Sequence, residues 1–235
     1  MTARLEELRA NLAEVEQRIG AACAAAGRDR DELTLVVVTK TYPASDVELL
    51  AEFGVTEVGE NRHPEAGEKA ADVSAPVRWH FMGGIQTNKA GAIARYADVV
   101  HSVDRPKLVA SLGRGAVAAE RDLEVLLQVD LGPAFEQASD GRSGAVPDDL
   151  AALADAVVEN DRLHLGGVMT VAPLGIDPAP VFERLAAIAE RLRADHPGAT
   201  TISAGMSGDL EAAVAAGATH LRVGRAILGE RPPLG

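Results

Sequence analysis

Apolar and polar positions fall into blocks along this chain, and the blocks change period. The first 27 residues place Leu5, Leu8, Leu12, Val15 and Ile19 at spacings of three and four, which predicts an amphipathic helix with Glu and Arg on its outer face. Gly27 is its expected stop. Beyond it, short apolar runs alternate with longer amphipathic ones. Strands are predicted at Leu33–Thr39, Glu57–Gly59, Arg78–Met82, Val99–Val103, Leu123–Val129, His164–Met169, Thr200–Ser203 and His220–Val223, eight in all. Helices are predicted between them at Ala44–Phe53, Lys89–Tyr96, Pro106–Ala119, Asp148–Glu159, Ala179–Asp195 and Leu210–Ala216.

Regular alternation of strand and helix indicates a parallel sheet. Runs such as LTLVVV and LEVLLQV are apolar with almost no alternation, as expected of strands covered on both faces. Eight such units fit a closed barrel better than an open sheet. The expected fold is therefore α/β, a single (β/α)8 TIM barrel with an extra N-terminal helix. With no Gly/Ser linker or break in composition, residues 1–235 are expected to form one domain. The longest loop, Leu131–Pro147, is polar and Gly-rich and is expected to be mobile.

Length and composition agree with this picture. The 235 residues suit one such barrel, which runs to about 250. Aromatics make up only 3% of the chain, so the core must be built from Ala, Val, Leu and Ile. The net charge of −12 argues against nucleic acid and membrane surfaces as partners, without excluding a small anion in a local pocket. Cys23, the single cysteine, falls in an Ala-rich helical stretch and reads as a buried hydrophobe. The charged N-terminus has no apolar h-region, and no apolar run reaches the ~18 residues of a membrane span. A cytoplasmic protein is expected.

In an α/β barrel the chemistry sits at the C-terminal ends of the strands. The unusual residues there are Lys40, Glu60 and Asn61, His80, Gly205 to Ser207, and Gly224 with Arg225. Lys40 ends the most apolar strand. In a partly desolvated mouth a lysine amine can attack a carbonyl, although a lysine extending into solvent is the commoner case. The loops after the seventh and eighth strands shift that balance. Ala204-Gly205-Met206-Ser207-Gly208-Asp209 leads into a helix, and Arg222-Val223-Gly224-Arg225-Ala226 reads as the start of a one-turn helix. Those two loops are the usual phosphate site of this architecture. Ordinary caps and tight turns would explain either motif alone. Together with Lys40 they point to a phosphate-bearing carbonyl ligand.

Val38-Thr39-Lys40-Thr41, Gly59-Glu60-Asn61, Trp79-His80-Phe81-Met82-Gly83, Gln86-Thr87-Asn88-Lys89, Gly205-Met206-Ser207 and Arg222-Val223-Gly224 resemble the YggS/PROSC family. These are the pyridoxal phosphate homeostasis proteins, related in fold to the N-terminal barrel of alanine racemase. The resemblance runs in order from about residue 5 to residue 231. It implies pyridoxal 5'-phosphate as cofactor, held as a Schiff base on Lys40. It also implies that Ser207 and the backbone around Gly224 and Arg225 hold the phosphate. Arg222 stands where the racemase barrel has an arginine near the pyridine nitrogen, and Asn61 and His80 look like pocket-wall positions. Arg225 departs from the Thr or Ser often found there, and Arg142-Ser143-Gly144 departs from the family's Lys-Ser-Gly pattern in the loop after the fifth strand.

Other candidates carry less. The six histidines are scattered without ligand spacing, so no metal is expected. Glu60 reads as an exposed strand-end carboxylate, Trp79 as barrel packing, and Tyr42 as a residue edging the pocket. The resemblance favours a carrier that stores, buffers or delivers pyridoxal phosphate, meeting apo forms of enzymes that use it, and a monomer is expected. The alternative is a racemase-type enzyme. Racemases draw a second acid–base group from an additional β domain, and with Gly235 following soon after the eighth strand no such domain is expected here. A cofactor-free phosphosugar isomerase or Schiff-base aldolase is a third class.

Overall fold

A computed structural model describes residues 3–135 and 143–229. Helix α1 (Ala3–Ala26) precedes the strands β1 (Thr34–Val38), β2 (Glu57–Glu60), β3 (Arg78–Phe81), β4 (Val99–Val103), β5 (Leu123–Gln128), β6 (Leu163–Met169), β7 (Thr201–Ser203) and β8 (His220–Val223). Between successive strands run α2 (Ala44–Glu52), α3 (Glu65–Asp72), α4 (Ala90–Ile93), α5 (Pro106–Ala119), α6 (Leu150–Val158), α7 (Pro178–Asp195) and α8 (Leu210–Ala215). Helix α9 (Arg225–Leu228) follows β8. Each strand pairs in parallel with the next, and β8 closes on β1 through Leu35↔Leu221 and Val37↔Val223. Closure leaves no sheet edge open to pairing with another chain.

The amphipathic pattern accounts for the layers. Helix α1 buries Leu5, Leu8, Val15 and Ile19 as the spacing predicts, packs on α8 and α9, and stops at Gly27, whose φ of +67° favours glycine. Cys23 is buried. The main core lies between strands and helices, where Val37, Val100, Val125 and Leu221 meet Leu50, Leu112, Leu185 and Leu210. Each such fully buried side chain contributes about 1.5–3 kcal/mol. Helix α7 begins at Pro178, one residue earlier than predicted, because the Asp177 carboxylate accepts from the Ala179 N–H at 3.1 Å.

Two elements depart from the sequence pattern. Helix α3 was not predicted: EAGEKAAD has no large apolar residue and buries only Ala66. The helix expected at Lys89–Tyr96 is a 3-10 turn, Thr87–Lys89, leading into the four-residue α4. In the loop after β5, Gly132–Phe135 form a 3-10 turn, and Ala145 bridges to Val129. The expectation of mobility in this loop, and Arg142 with it, falls on residues 136–142, outside the described residues.

The barrel interior is unusual. Such interiors are ordinarily filled by Val, Ile and Leu. Here Val99, Leu126 and Met169 make one apolar cluster, while His80, His101, Ser203 and Arg222 are also buried. Buried polar groups of this kind are stable only when hydrogen-bonded to one another.

Candidate cofactor-binding site

The C-terminal ends of the strands surround a cavity of about 340 Å³, within the range typical of small-molecule sites. Its wall includes Val38, Lys40, Tyr42, Met82, Met206, Ser207, Gly208, Arg222, Gly224 and Arg225. Five of the seven residues expected at the site thus come together: Lys40, Ser207, Arg222, Gly224 and Arg225. Asn61 and His80 are not among the lining residues. Tyr42, expected at the edge, does line the cavity.

Lys40 is half-buried in the turn that follows β1. The next residue, Thr41, has φ +71°, a left-handed conformation that is costly for a β-branched side chain and often marks functional turns. The turn is closed by the Tyr42 N–H donating to the Thr39 carbonyl at 3.1 Å. The Tyr42 hydroxyl donates to the Gly229 carbonyl at 2.7 Å, tying the β1 turn to the end of α9.

Across the mouth, the two glycine-bearing loops come close to the chain for steric reasons. Gly205 has φ +91°, and a Cβ there would lie 2.6 Å from the Ala213 Cβ. A Cβ on Gly224 would lie 2.9 Å from the Val38 carbonyl oxygen. The N–H groups of Arg225 and Ala226 open α9 and have no intrahelical carbonyl to bind. The Arg225 side chain is exposed. Among the described lining residues, Lys40, Arg222 and Arg225 are cationic and none is a carboxylate. Such a wall suits an anion.

Both loops are braced by α1, a device that sequence reading missed. Arg4, Asn11 and Arg18 lie seven apart on one stripe of α1. Arg4 donates to the Leu228 carbonyl at 3.1 Å, Asn11 to the Ile227 carbonyl at 3.0 Å, and Arg18 to the Ser207 carbonyl at 3.1 Å. The heptad spacing of these polar residues was visible in the sequence, but the carbonyls they reach were not.

Arg222 is 4% exposed and donates to Ser203 Oγ at 2.7 Å and to the Thr170 carbonyl at 2.8 Å, both neutral acceptors. Burial pushes its pKa down to about 10, opposed by the charge of Asp209, and it stays protonated near neutrality. His80 lies inside the barrel, between Glu57 at 2.5 Å and His101 at 2.7 Å. His220 completes a cluster of three imidazoles, its ring 6.3 Å from that of His80. Asn61 stands at the end of β2, with its Oδ1 buried and without a hydrogen-bond partner.

The reading of Glu60 as an exposed carboxylate is corrected. Its side chain is 3% exposed and pairs with Lys69 of α3 at 2.5 Å. It also accepts from Thr39 Oγ1 at 2.8 Å. Lys69 Nζ donates in addition to the Thr39 carbonyl at 2.7 Å. The ion pair therefore holds the backbone one residue before Lys40. Trp79 packs with Val47 and Val58, as expected.

Comparison with known proteins agrees with the fold and the sequence motifs. Residues 4–232 match the family model for the alanine racemase N-terminal domain. The chain is 41% identical to a pyridoxal phosphate homeostasis protein of Mycobacterium tuberculosis, over 97% of this chain and 94% of that one. It is 34% identical to the protein of that name in Escherichia coli, over 97% and 98% of the two chains. Among solved structures it resembles PipY of Synechococcus elongatus with pyridoxal phosphate bound. That likeness has a TM-score of 0.78 and 32% identity, and covers 90% of this chain and 100% of that one. The fold and site define a chain of the alanine racemase N-terminal domain family, and within it the chain belongs to the pyridoxal phosphate homeostasis proteins. Among the described residues no helix is long and apolar enough to cross a membrane.

Proposed function

We propose that this chain binds pyridoxal 5'-phosphate and serves its homeostasis by storing, buffering or delivering it, with Lys40 as the covalent anchor. The observation that carries this reading is the single cavity shared by Lys40, Ser207, Arg222, Gly224 and Arg225. Lys40 would hold the group through its amine, and the group would supply the aldehyde for that Schiff-base link, with water as the leaving molecule. Ser207 and the opening N–H groups of α9 take the phosphate, and the exposed Arg225 adds a cation beside it. Gly224 lets the backbone approach. Asn61 and His80 are not among the described residues that line the cavity, and they are not given a contact with the cofactor.

Binding is favoured over catalysis by what the wall lacks. Besides the Lys40 amine, the described lining residues include no imidazole, carboxylate or thiol, and the Tyr42 hydroxyl is already donating to Gly229. Controlled proton transfer on a bound amino acid needs such a second group. Delivery would bring the loaded chain to apo forms of enzymes that use the cofactor.

The test is direct. Purified protein mixed with pyridoxal phosphate should acquire the visible absorbance of a Schiff base, and borohydride should fix the cofactor on Lys40. Protein that stays colourless and takes up no cofactor would overturn the proposal. Amino-acid substrates should show no α-proton exchange at an enzymatic rate. Exchange that is abolished in Lys40→Ala would replace the carrier reading with the racemase-type one.

A further inference from the structure

The helical layer is thin outside β3. Where the sequence predicts a helix over Lys89–Tyr96, α4 makes a single turn, and α3 has only eight residues. The strand is left beside an open groove of about 590 Å³, within the range of small-molecule sites. Small residues form much of its lining, Gly67, Ala70 and Ala71 of α3 and Ala92 of α4, together with Trp79 of β3. None of its described lining residues belongs to the Lys40 cavity. A Cβ on Gly67 would stand 3.2 Å from Tyr96 Cε1, tight against that ring, so the absence of a side chain there keeps the space open.

Two rings of the groove carry polar atoms with nothing to bind. His63 and Tyr96 stack with their centroids 6.0 Å apart and their planes 11° apart. The Tyr96 hydroxyl and His63 Nδ1 are both buried, and among the described residues neither has a hydrogen-bond partner. Such groups are rare in folded chains, because they lose water and gain nothing in return. Burial, then the charge of Glu60, raises the Tyr96 pKa, so the phenol keeps its proton and is a donor. Burial, then the charge of Lys89, lowers the His63 pKa against the pull of Glu68, so the imidazole is neutral near neutrality. Its Nδ1 then donates or accepts according to the tautomer.

The charges of the groove are unequally occupied. Asp98 accepts from Arg121 Nη2 at 2.5 Å and from the Trp79 N–H at 2.7 Å. Arg121 Nη1 also donates to the Arg95 carbonyl at 2.8 Å, so this pair is spent on the wall itself. Arg95 is exposed, and among the described residues no carboxylate pairs with its guanidinium. The lining therefore offers one uncompensated cation, in a chain whose net charge is −12.

We propose that this groove is a second ligand site, taking a planar nitrogen heterocycle with an anionic arm, as in a nucleoside monophosphate. The heterocycle lies over Gly67, Ala70, Ala71 and Ala92. Its edge meets the Tyr96 hydroxyl and His63 Nδ1 after a small turn of either side chain. Such an edge presents acceptors and donors side by side, which matches one phenol donor next to a neutral imidazole. The anion pairs with Arg95. An anion without a ring would leave both buried atoms unpaired. The site is independent of Lys40 and of pyridoxal phosphate.

Calorimetric titration of the full chain with adenosine 5'-monophosphate tests it. Binding is expected with a Kd below about 1 mM. Tyr96→Phe should weaken it about three- to tenfold, as loss of a hydrogen bond does. Arg95→Gln should weaken it as well and flatten its dependence on salt. Adenosine should bind about tenfold more weakly than the monophosphate, with no effect of Arg95→Gln, and ribose 5-phosphate should not compete. Ala71→Phe, at an exposed position of α3, should block the groove. Ser207→Ala should change nothing, and a loss there would place the nucleotide in the Lys40 cavity and overturn the second site. Absence of binding, full affinity in Tyr96→Phe or Arg95→Gln, or ribose 5-phosphate binding as tightly as the nucleotide would each overturn it too. In the ligand-free chain Tyr96→Phe should leave Tm unchanged or raised, since the hydroxyl has no bond to lose, and a fall in Tm would refute the unpartnered phenol.

Discussion

Lys69→Met tests whether a residue of the helix that sequence reading missed prepares the site. Lys69 Nζ bridges the Glu60 carboxylate and the Thr39 carbonyl, and the two charged side chains are 10% and 3% exposed. Met keeps much of the volume and removes the charge and the donors, so a nearly dry carboxylate is left with only the Thr39 hydroxyl. Breaking a buried pair in this way costs about 3–5 kcal/mol. For a chain of this size that lowers Tm by about 6–20 °C. Replacing both partners by neutral groups should be far milder, because no charge is then stranded. Urea unfolding followed by circular dichroism should therefore rank the chains as native, then Glu60→Gln/Lys69→Met, then Lys69→Met. The single substitution should also reduce the rate of borohydride-trapped labelling at Lys40, because the Thr39 carbonyl loses its anchor one residue away. The reasoning fails if Lys69→Met unfolds within about 1 kcal/mol of the native chain, or if the double substitution is as unstable as the single one.

Three further outcomes follow from the geometry. Gly205→Ala should cost about 2–4 kcal/mol, combining a left-handed backbone with the overlap against Ala213. Gly54→Ala, with φ +86° and open space around it, should cost only the backbone part, so equal thermal shifts would refute the overlap. Asn11→Ala removes the donor to the Ile227 carbonyl and should cost about 1 kcal/mol, while weakening pyridoxal phosphate binding several-fold in a spectroscopic titration. An unchanged affinity would show that α1 does not brace the phosphate loops. His220 has its pKa lowered to about 4, first by burial and then by His80, from the usual imidazole value of 6.5. Below pH 6.5 the unfolded chain takes up the proton before the folded one does, so stability is present above that pH and is lost as pH falls toward 4. The loss between pH 7 and pH 5 should be about 2 kcal/mol, with His101 adding in the same direction. His220→Asn should flatten this acid limb in urea titrations, and an unaltered slope would contradict the assignment.

Local chain chemistry settled a good deal by itself. The alternation of short strand-like runs with amphipathic stretches located every strand, and β1 and β5 stood out because they are apolar almost throughout. Gly27 ended α1, and the glycines of the loops after β7 and β8 marked where the backbone turns tightly. Lys40, Ser207, Arg222, Gly224 and Arg225 were legible because the architecture assigns strand ends and the last two loops to ligands, whatever the side-chain detail. Helix α3 was not legible, because its residues are small or charged and its place is set by the strands on either side.

What only the tertiary structure decided were relations between distant residues. Glu60 looked exposed until α3 brought Lys69 over it, 9 residues away in sequence. Arg4, Asn11 and Arg18 looked like a solvated helix face until the closed barrel placed α8 and α9 under that stripe. His80 and His101 looked scattered, 21 residues apart, until curvature turned both side chains into the same interior. Periodicity reports which face of an element is apolar. It does not report which polar groups a barrel encloses, because their burial is stabilised only by partners that closure supplies from other strands.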